Sequence, residues 1–455
     1  MTDWAARIFN IRRAEFPLAA LAAAFYFCVL CGYFFVRPVR DAMGVARGMG
    51  ELYWLFGVTV VSSLVLVLLF GGVVARMDRR RFIPVAYGFV VACLFLFAGL
   101  LVVDARAGGG LIGSGSETAL ARGVGYTFYV WLSAINLFIN SIFWAFMVDL
   151  FSVEQGKRIF AFIGIGGTIG ALAGGWATNR IASATESVYL PVGLMAIGAG
   201  FFVVAIILML TLDRRAARSG HSRLGNPAAA SGDSPAAPNA PSGMGGNFWD
   251  GAAAVARSPY LLGIALWIMF MAISNTLIYF TQANIILNRS DNFSQLVSSY
   301  ALMDALTQTA TLITQIFITT RLIRKLGVGW TLAILPLVTL AGFAVLAIWP
   351  VFGVMAVFQA VHRATRYAIS RPARETLFSV VPPAERYKAK PVVDVFLYRF
   401  GDLAGTGLQV VLSALGSLAL MVGATVPFAA VWCALSVGLG RAQTRRDQEP
   451  MPPRR

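Results

Sequence analysis

The sequence predicts an all-α polytopic membrane protein with twelve transmembrane helices in two six-helix halves. Three observations predict it. Of 455 residues, 58% are hydrophobic and 13% charged, and the mean hydropathy is +0.72, which excludes a soluble globular domain and a disordered chain. The apolar residues gather into runs near the roughly 20 residues that cross about 30 Å of hydrocarbon as a helix. The runs do not alternate with polar residues, and lipid admits only helices or closed barrels.

The runs fall at 16–36, 52–74, 82–103, 124–148, 159–179, 187–211, 259–280, 296–320, 330–349, 351–371, 391–415 and 419–440. Between the sixth and seventh, residues 213–257 are rich in Ala, Pro, Gly, Ser and Asn and have too few aliphatic side chains to build a core. That stretch reads as a flexible cytoplasmic linker between an N-terminal half (1–212) and a C-terminal half (258–440), with a basic tail at 441–455. Alternate loops hold 29 of the 37 Lys and Arg residues on one face and seven on the other, Arg399 remaining inside a span. The positive-inside rule then places both termini and the linker in the cytoplasm of a bacterial-type plasma (inner) membrane. It also explains the net charge of +16 without nucleic acid as a partner.

Cys28, Cys31, Cys93 and Cys433 all lie in apolar runs and define neither a disulfide framework nor a metal site; no cofactor or metal is expected. His221 and His362 fit no catalytic triad or metalloprotease spacing, so no enzymatic chemistry is read. In the fifth run Gly166, Gly170 and Gly174 form one small-residue ridge. No strand precedes it and no Gly-Lys-Ser/Thr follows, so close helix packing is the reading, not a nucleotide loop.

After the second span comes Gly71-Gly72-x-x-x-Arg76-x-Asp78-Arg79-Arg80-Arg81, and after the eighth Arg321-Leu-Ile-Arg324-Lys325-Leu-Gly327. A short basic hairpin at the same place in each half is what two parallel six-helix repeats produce. The first resembles the Gly…Asp-Arg…Arg-Arg hairpin of the major facilitator superfamily. Positive-inside anchoring explains the charges equally well, but not the glycines or the matched position. Asp78, Arg79, Arg80, Arg81, Arg321 and Arg324 are therefore candidate gating residues.

Charges inside spans are expensive and mark function. In the tenth run Gln359, Arg363, Arg366 and Ser370 recur at helical spacing, one face of one helix. A rise of 1.5 Å per residue from Trp349-Pro350 puts Arg363 roughly 20 Å and Arg366 roughly 24 Å deep. The alternative is a shorter span from which both snorkel to headgroups. The eleventh run opens at Pro391, suited to a first helical turn, and carries Asp394, Arg399 and Asp402, of which the last two could pair across one turn. Arg386, Lys388 and Lys390 precede it.

The first run ends in Arg37, Arg40 and Asp41, either an interfacial cluster or a site where Arg40 holds a phosphate or carboxylate. Polar stripes occur at Ser133, Asn136, Asn140 and Trp144, at Asp304, Gln308, Thr311 and Gln315, and at Asn275, Tyr279 and Gln282. Each stripe is helix-to-helix glue or the lining of a cavity.

Val36-Arg-Pro-Val-Arg-Asp-Ala-Met-Gly-Val45 resembles the first-span signature of the ATP/ADP translocase type of nucleotide transporter, relatives of the major facilitators. Arg371-Pro-Ala-Arg-Glu375-Thr-Leu-Phe378 and Glu385-Arg-Tyr-Lys388-Ala-Lys390-Pro-Val-Val-Asp394 resemble its later signature, including Lys-x-Lys-x-x-x-Asp. The resemblance implies a cationic cavity exchanging nucleotides by alternating access. It puts Arg40 where the family usually has Lys, and Lys388 or Lys390 on phosphates. The sequence departs from the family in the fourth span, where asparagines stand, and after Asp394, where Arg399-Phe-Gly-Asp402 replaces a glycine/lysine/serine run.

The reading is thus a monomeric major-facilitator-type carrier of an anionic solute, ATP or ADP among the candidates. Its substrate-binding residues would be Arg37, Arg40, Asp41, Asn136, Asn140, Asp304, Gln308, Arg363, Arg366, Lys388, Lys390, Asp394 and Arg399. The alternatives are a proton-coupled carrier of another organic anion or a drug, with Asp41, Asp304 or Asp402 titrating, and a non-transporting scaffold or lipid-handling protein.

Overall fold

In a computed structural model, the structure describes residue 12 and residues 15–74, 79–218, 248–414 and 418–448. Those residues form helices and turns, with no strand among them. In chain order the helices are α1 (Phe16–Val45), α2 (Met49–Val74), α3 (Arg79–Arg106), α4 (Ala119–Leu150), α5 (Val153–Ala184), α6 (Leu190–Arg218) and the short α7 (Phe248–Arg257). They continue as α8 (Pro259–Arg289), α9 (Phe293–Phe317), α10 (Thr319–Ile348), α11 (Phe352–Ala364), α12 (Arg371–Leu377), α13 (Pro383–Pro391), α14 (Tyr398–Ala414) and α15 (Leu418–Gln448).

Among the described residues, nine helices are long and apolar enough to cross a membrane, making the chain an all-α polytopic membrane protein. The eighth, tenth and eleventh apolar runs fall outside the nine. α9 has the length but carries Ser294, Gln295, Asp304 and Gln308. The other two runs are broken by π turns, at Thr365–Ser370 between α11 and α12 and at Val392–Leu397 between α13 and α14.

The first π turn corrects the expected single face of the tenth run. Arg371 N–H donates to the carbonyl of Arg366, five residues back, so Ser370 leaves the register set by Gln359 and Arg363. The second corrects the place of Pro391. It ends α13 instead of opening a helix, and Val392 N–H bonds to Ala389 O as the chain turns into the π segment. Proline has no N–H to continue a regular ladder.

Of the expected gating residues, Asp78 lies outside the described residues. Arg79, Arg80 and Arg81 open α3, and Arg321 and Arg324 lie in the first turns of α10, all with side chains outside the described set. Of the 213–257 linker, 219–247 lies outside the described residues, as do 449–455 of the basic tail.

The chain divides into two compact units, Met1–Gly243 with Ser290–Ala305, and Met244–Arg289 with Leu306–Arg455. In the first, α1 is central: 72% of its apolar stretch is buried, against 28% for α2. It packs on α5 and α6 because glycines let the backbones meet. A Cβ at Gly166 would fall 2.7 Å from Ala23 O, at Gly170 2.2 Å from Phe27 O, and at Gly174 2.7 Å from Cys31 O. The ridge read from sequence is thus the α5 side of this contact.

Pro38 lies inside α1 and leaves the carbonyl of Phe34 without its usual donor; the hydroxyl of Thr178 on α5 supplies one at 3.4 Å. At the other end of α5, Ser152 and Gln155 form a capping box. Gly170→Val should lower stability by about 3 kcal/mol, the upper range for overpacking. Gly164→Ala, where a Cβ meets open space, is the control. Thermal unfolding of the two purified variants checks this, and equal midpoints would refute the packing account.

The second unit is built on an aromatic core in which Trp267, Trp432 and Phe270 pack with Phe428, and Trp267 Nε1 donates to Ser436 Oγ at 2.9 Å. Tyr260 reaches from α8 to donate to Leu377 O at 2.9 Å, holding the end of α12. α8 and α14 approach closely at Gly401 and Gly405, where a Cβ would meet Ala272 Cβ at 2.7 Å and Thr276 Cβ at 2.9 Å.

Candidate functional site

Polar and charged residues gather at one place in the first unit and two in the second. In the first unit, α1 brings Arg37, Arg40 and Asp41 against α4 and the first half of α9. Arg37 bridges two carboxylates, Asp304 Oδ1 at 3.1 Å and Asp41 Oδ2 at 3.8 Å, and lies over the Phe34 ring. Arg40 donates through Nε to Asp41 Oδ1 at 3.1 Å and through a terminal nitrogen to Ser133 Oγ at 3.2 Å, with its guanidinium over Tyr129. Asp41 is 2% exposed and Asp304 4%. Two guanidiniums face two carboxylates, an arrangement that is neutral as a whole.

The stripe on α4 turns toward α1 and binds it. Ser133 takes Arg40, Tyr26 donates to Asn140 Oδ1 at 3.2 Å, Asn140 reaches Asn136 Oδ1 at 3.4 Å, and Trp144 meets the Tyr26 ring edge-on. Sequence reasoning missed Tyr300, 2% exposed on α9, whose hydroxyl has no hydrogen-bond partner among the described residues. It also missed the buried pair of Arg47 and Glu117, joined through Arg47 Nε at 2.9 Å. Neither carried a pattern, since each depends on segments distant in sequence.

In the second unit Arg366 stands in the first π turn. It donates to Asn275 Oδ1 on α8 and, at 2.9 Å, to the hydroxyl of Tyr398 on α14; it lies over the rings of Tyr367 and Tyr398. Both hydrogen-bond partners are neutral, and Arg366 has no ion pair among the described residues. One turn earlier, the Gln359 amide lies 2.6 Å from that of Gln282; in the orientation the network favours, its oxygen accepts from Arg363 Nε and a terminal nitrogen at 3.1 Å.

Asp402, 3% exposed, accepts from Thr276 at 3.2 Å through Oδ1 and pairs with Arg399 at 3.1 Å through Oδ2. The pairing of Arg399 with Asp402, open in the sequence, is what forms. It leaves Asp402 bonded to groups other than Arg366, and the close approach at Gly401 and Gly405 is what lets it reach Thr276.

The third group lies where α12 meets α13. Arg374 pairs with Glu375 at 3.0 Å and Asp394 at 3.5 Å; Lys390 pairs with Glu375 and, at 3.4 Å, with Asp394. Burial alone would raise the Glu375 carboxyl, but hydrogen bonds from Lys390 and Arg374 hold it below the ordinary range. Lys388 is exposed on α13, and Gln308 is half-buried on α9. The expected residues therefore assemble as Arg37, Arg40, Asp41 and Asp304, and as Lys390 with Asp394, while Arg363, Arg366 and Arg399 each bond to different partners.

No protein-family model matches the sequence. The chain is 23% identical over 343 residues to ADP,ATP carrier protein 1 of Chlamydia pneumoniae, a match that spans 67% of this chain and 64% of the carrier, less than two thirds of its length. Among solved structures, it is similar to nucleoside transporter NupG, at TM-score 0.56 and 15% identity over 94% of this chain and 99% of that one. It is similar also to an auto-inhibited POT-family peptide transporter, at 0.57 and 12% identity over 96% and 99%. A bacterial homologue of the iron transporter ferroportin gives 0.57 and 12% over 96% and 100%. The chain has the fold of major-facilitator-type transporters.

Proposed function

We propose that this protein is a membrane transporter of the major-facilitator type that moves an anionic solute, a nucleotide such as ATP or ADP first among them, by exchange through alternating access. The observation that carries the charge of the solute is Arg366, a guanidinium within the membrane part whose direct partners are the neutral side chains of Asn275 and Tyr398. A cation held by dipoles keeps its charge available, and an anion that has shed its hydration shell is the natural counter-ion. Arg363, held by the Gln359 amide, extends the cationic face. The similarity to an ADP,ATP carrier supports the nucleotide.

Under this reading the chain sits as a monomer in an inner membrane with both termini cytoplasmic. The basic hairpins at Asp78–Arg81 and Arg321–Arg324 latch one state. Lys388, exposed on α13, meets phosphates as they arrive.

The test is uptake of labelled ATP by purified protein in liposomes. Saturable uptake that requires ADP inside is expected. Uptake indifferent to internal nucleotide, or none with ATP while another anion is carried, overturns the exchange of nucleotides.

A second reading, proton-coupled transport, is favoured by the buried Asp402 and its two partners, which could take up and release a proton during the cycle. Flux that follows an imposed pH gradient supports it; flux that ignores the gradient removes it.

A further inference from the structure

We infer that Tyr398 is a positioning residue for Arg366, and that the hydrogen bond between them ties occupancy of the anion site to the chain segment between the two π turns. The inference rests on the anion reading above. Arg366 is the second residue of the first π turn, and Tyr398 is the first residue after the second. Their 2.9 Å hydrogen bond therefore closes the base of the excursion 371–391, which contains α12 and α13.

Farther along, the excursion is closed again by charge, through Arg374 with Asp394 and through Lys390 with both Glu375 and Asp394. Two clips thus hold one segment, a guanidinium–phenol bond beside the anion site and an ion-pair cluster beyond it. α7 lies against the same segment, with Gly251 so close that a Cβ would fall 2.4 Å from Lys388 O.

The base clip is the one an anion can open. Arg366 uses one terminal nitrogen on Asn275 and the other on Tyr398. An oxyanion that reaches the guanidinium competes for the nitrogen facing Tyr398, and a full opposite charge draws the cation more strongly than a neutral phenol oxygen does. Asn275 keeps the guanidinium in place while Tyr398 is released. π turns are places where a helical ladder shifts register most easily, so losing the clip between two of them loosens the whole excursion. The segment then samples its open arrangement more often, a population shift that the differential affinity of the anion drives.

Hydrogen–deuterium exchange of the full-length protein tests this, with ADP as the probe. Without ligand, Tyr398→Phe should speed amide exchange in 371–391 roughly five- to tenfold, the effect of losing one hydrogen bond, while Asn275→Ala leaves that segment unchanged. Added to the wild type, ADP should speed the same amides; added to Tyr398→Phe, it should produce no further change. Glu375→Gln, which weakens only the ionic clip, should raise baseline exchange yet keep the response to ADP, separating coupling from general loosening. Unchanged exchange in ligand-free Tyr398→Phe, or an equal ADP response in that variant and the wild type, overturns the inference. If ADP neither stabilises the wild type thermally nor alters its exchange, the anion reading falls and takes this inference with it.

Discussion

Replacing Arg366 by alanine is expected to raise the KM for ATP uptake roughly 10- to 100-fold, the loss of one charge-assisted contact of about 1.5–3 kcal/mol, while the melting temperature changes little, because relief of a desolvated charge offsets the lost bonds to Asn275 and Tyr398. The two halves of that expectation come from the same geometry. Asn275 and Tyr398 accept from two of the five N–H groups of Arg366 and carry no charge of their own, so the guanidinium is held away from water at a cost. Removing the charge relieves that cost and removes the attraction for the solute together. Arg366→Lys should not restore function, because a single ammonium cannot span Asn275 and Tyr398 as the planar fork does. Wild-type KM in a well-folded Arg366→Ala protein would show that the cation belongs to the packing and not to the solute path.

The helical class, the long apolar runs and the glycine ridge were legible because each is written in local spacing. Gly166, Gly170 and Gly174 fall on one face whatever surrounds them, and the contact with α1 follows. Arg399 and Asp402 were legible as a pair for the same reason, three residues apart on one helix.

The π turns were not. Their sequences, Thr365–Ser370 and Val392–Leu397, contain no residue that forces an extra backbone position, and what selects them is packing against other helices. Without them Arg366 and Ser370 share a face and Pro391 opens a helix, as the spacing suggests. The partners of Arg366 were beyond reach too, since Asn275 and Tyr398 come from α8 and α14 and meet it only after the unit folds. Asn275 did stand in a polar stripe, but its face could not be matched to a partner.

The opposite balance is expected in the first unit, where Arg37→Met should cost about 3–5 kcal/mol of stability because it removes the guanidinium that bridges Asp304 and Asp41. Asp304→Leu alone should cost less, since Arg37 keeps Asp41 at 3.8 Å. The combined change Arg37→Met with Asp304→Leu takes both charges out and should recover most of the loss, so the double-mutant cycle reads a coupling of about 3 kcal/mol, the upper end for neighbouring pairs. Arg37 thus differs from Arg366 in a measurable way: one cation is paired with carboxylates and its removal costs stability, the other is bonded to neutral groups and its removal weakens uptake. Thermal unfolding of the four proteins in one detergent decides the matter. Additive effects, or an Arg37→Met protein as stable as the wild type, would mean that the ion pair adds nothing to the fold, and that Arg37 and Arg40 should be counted instead with the residues that meet the solute.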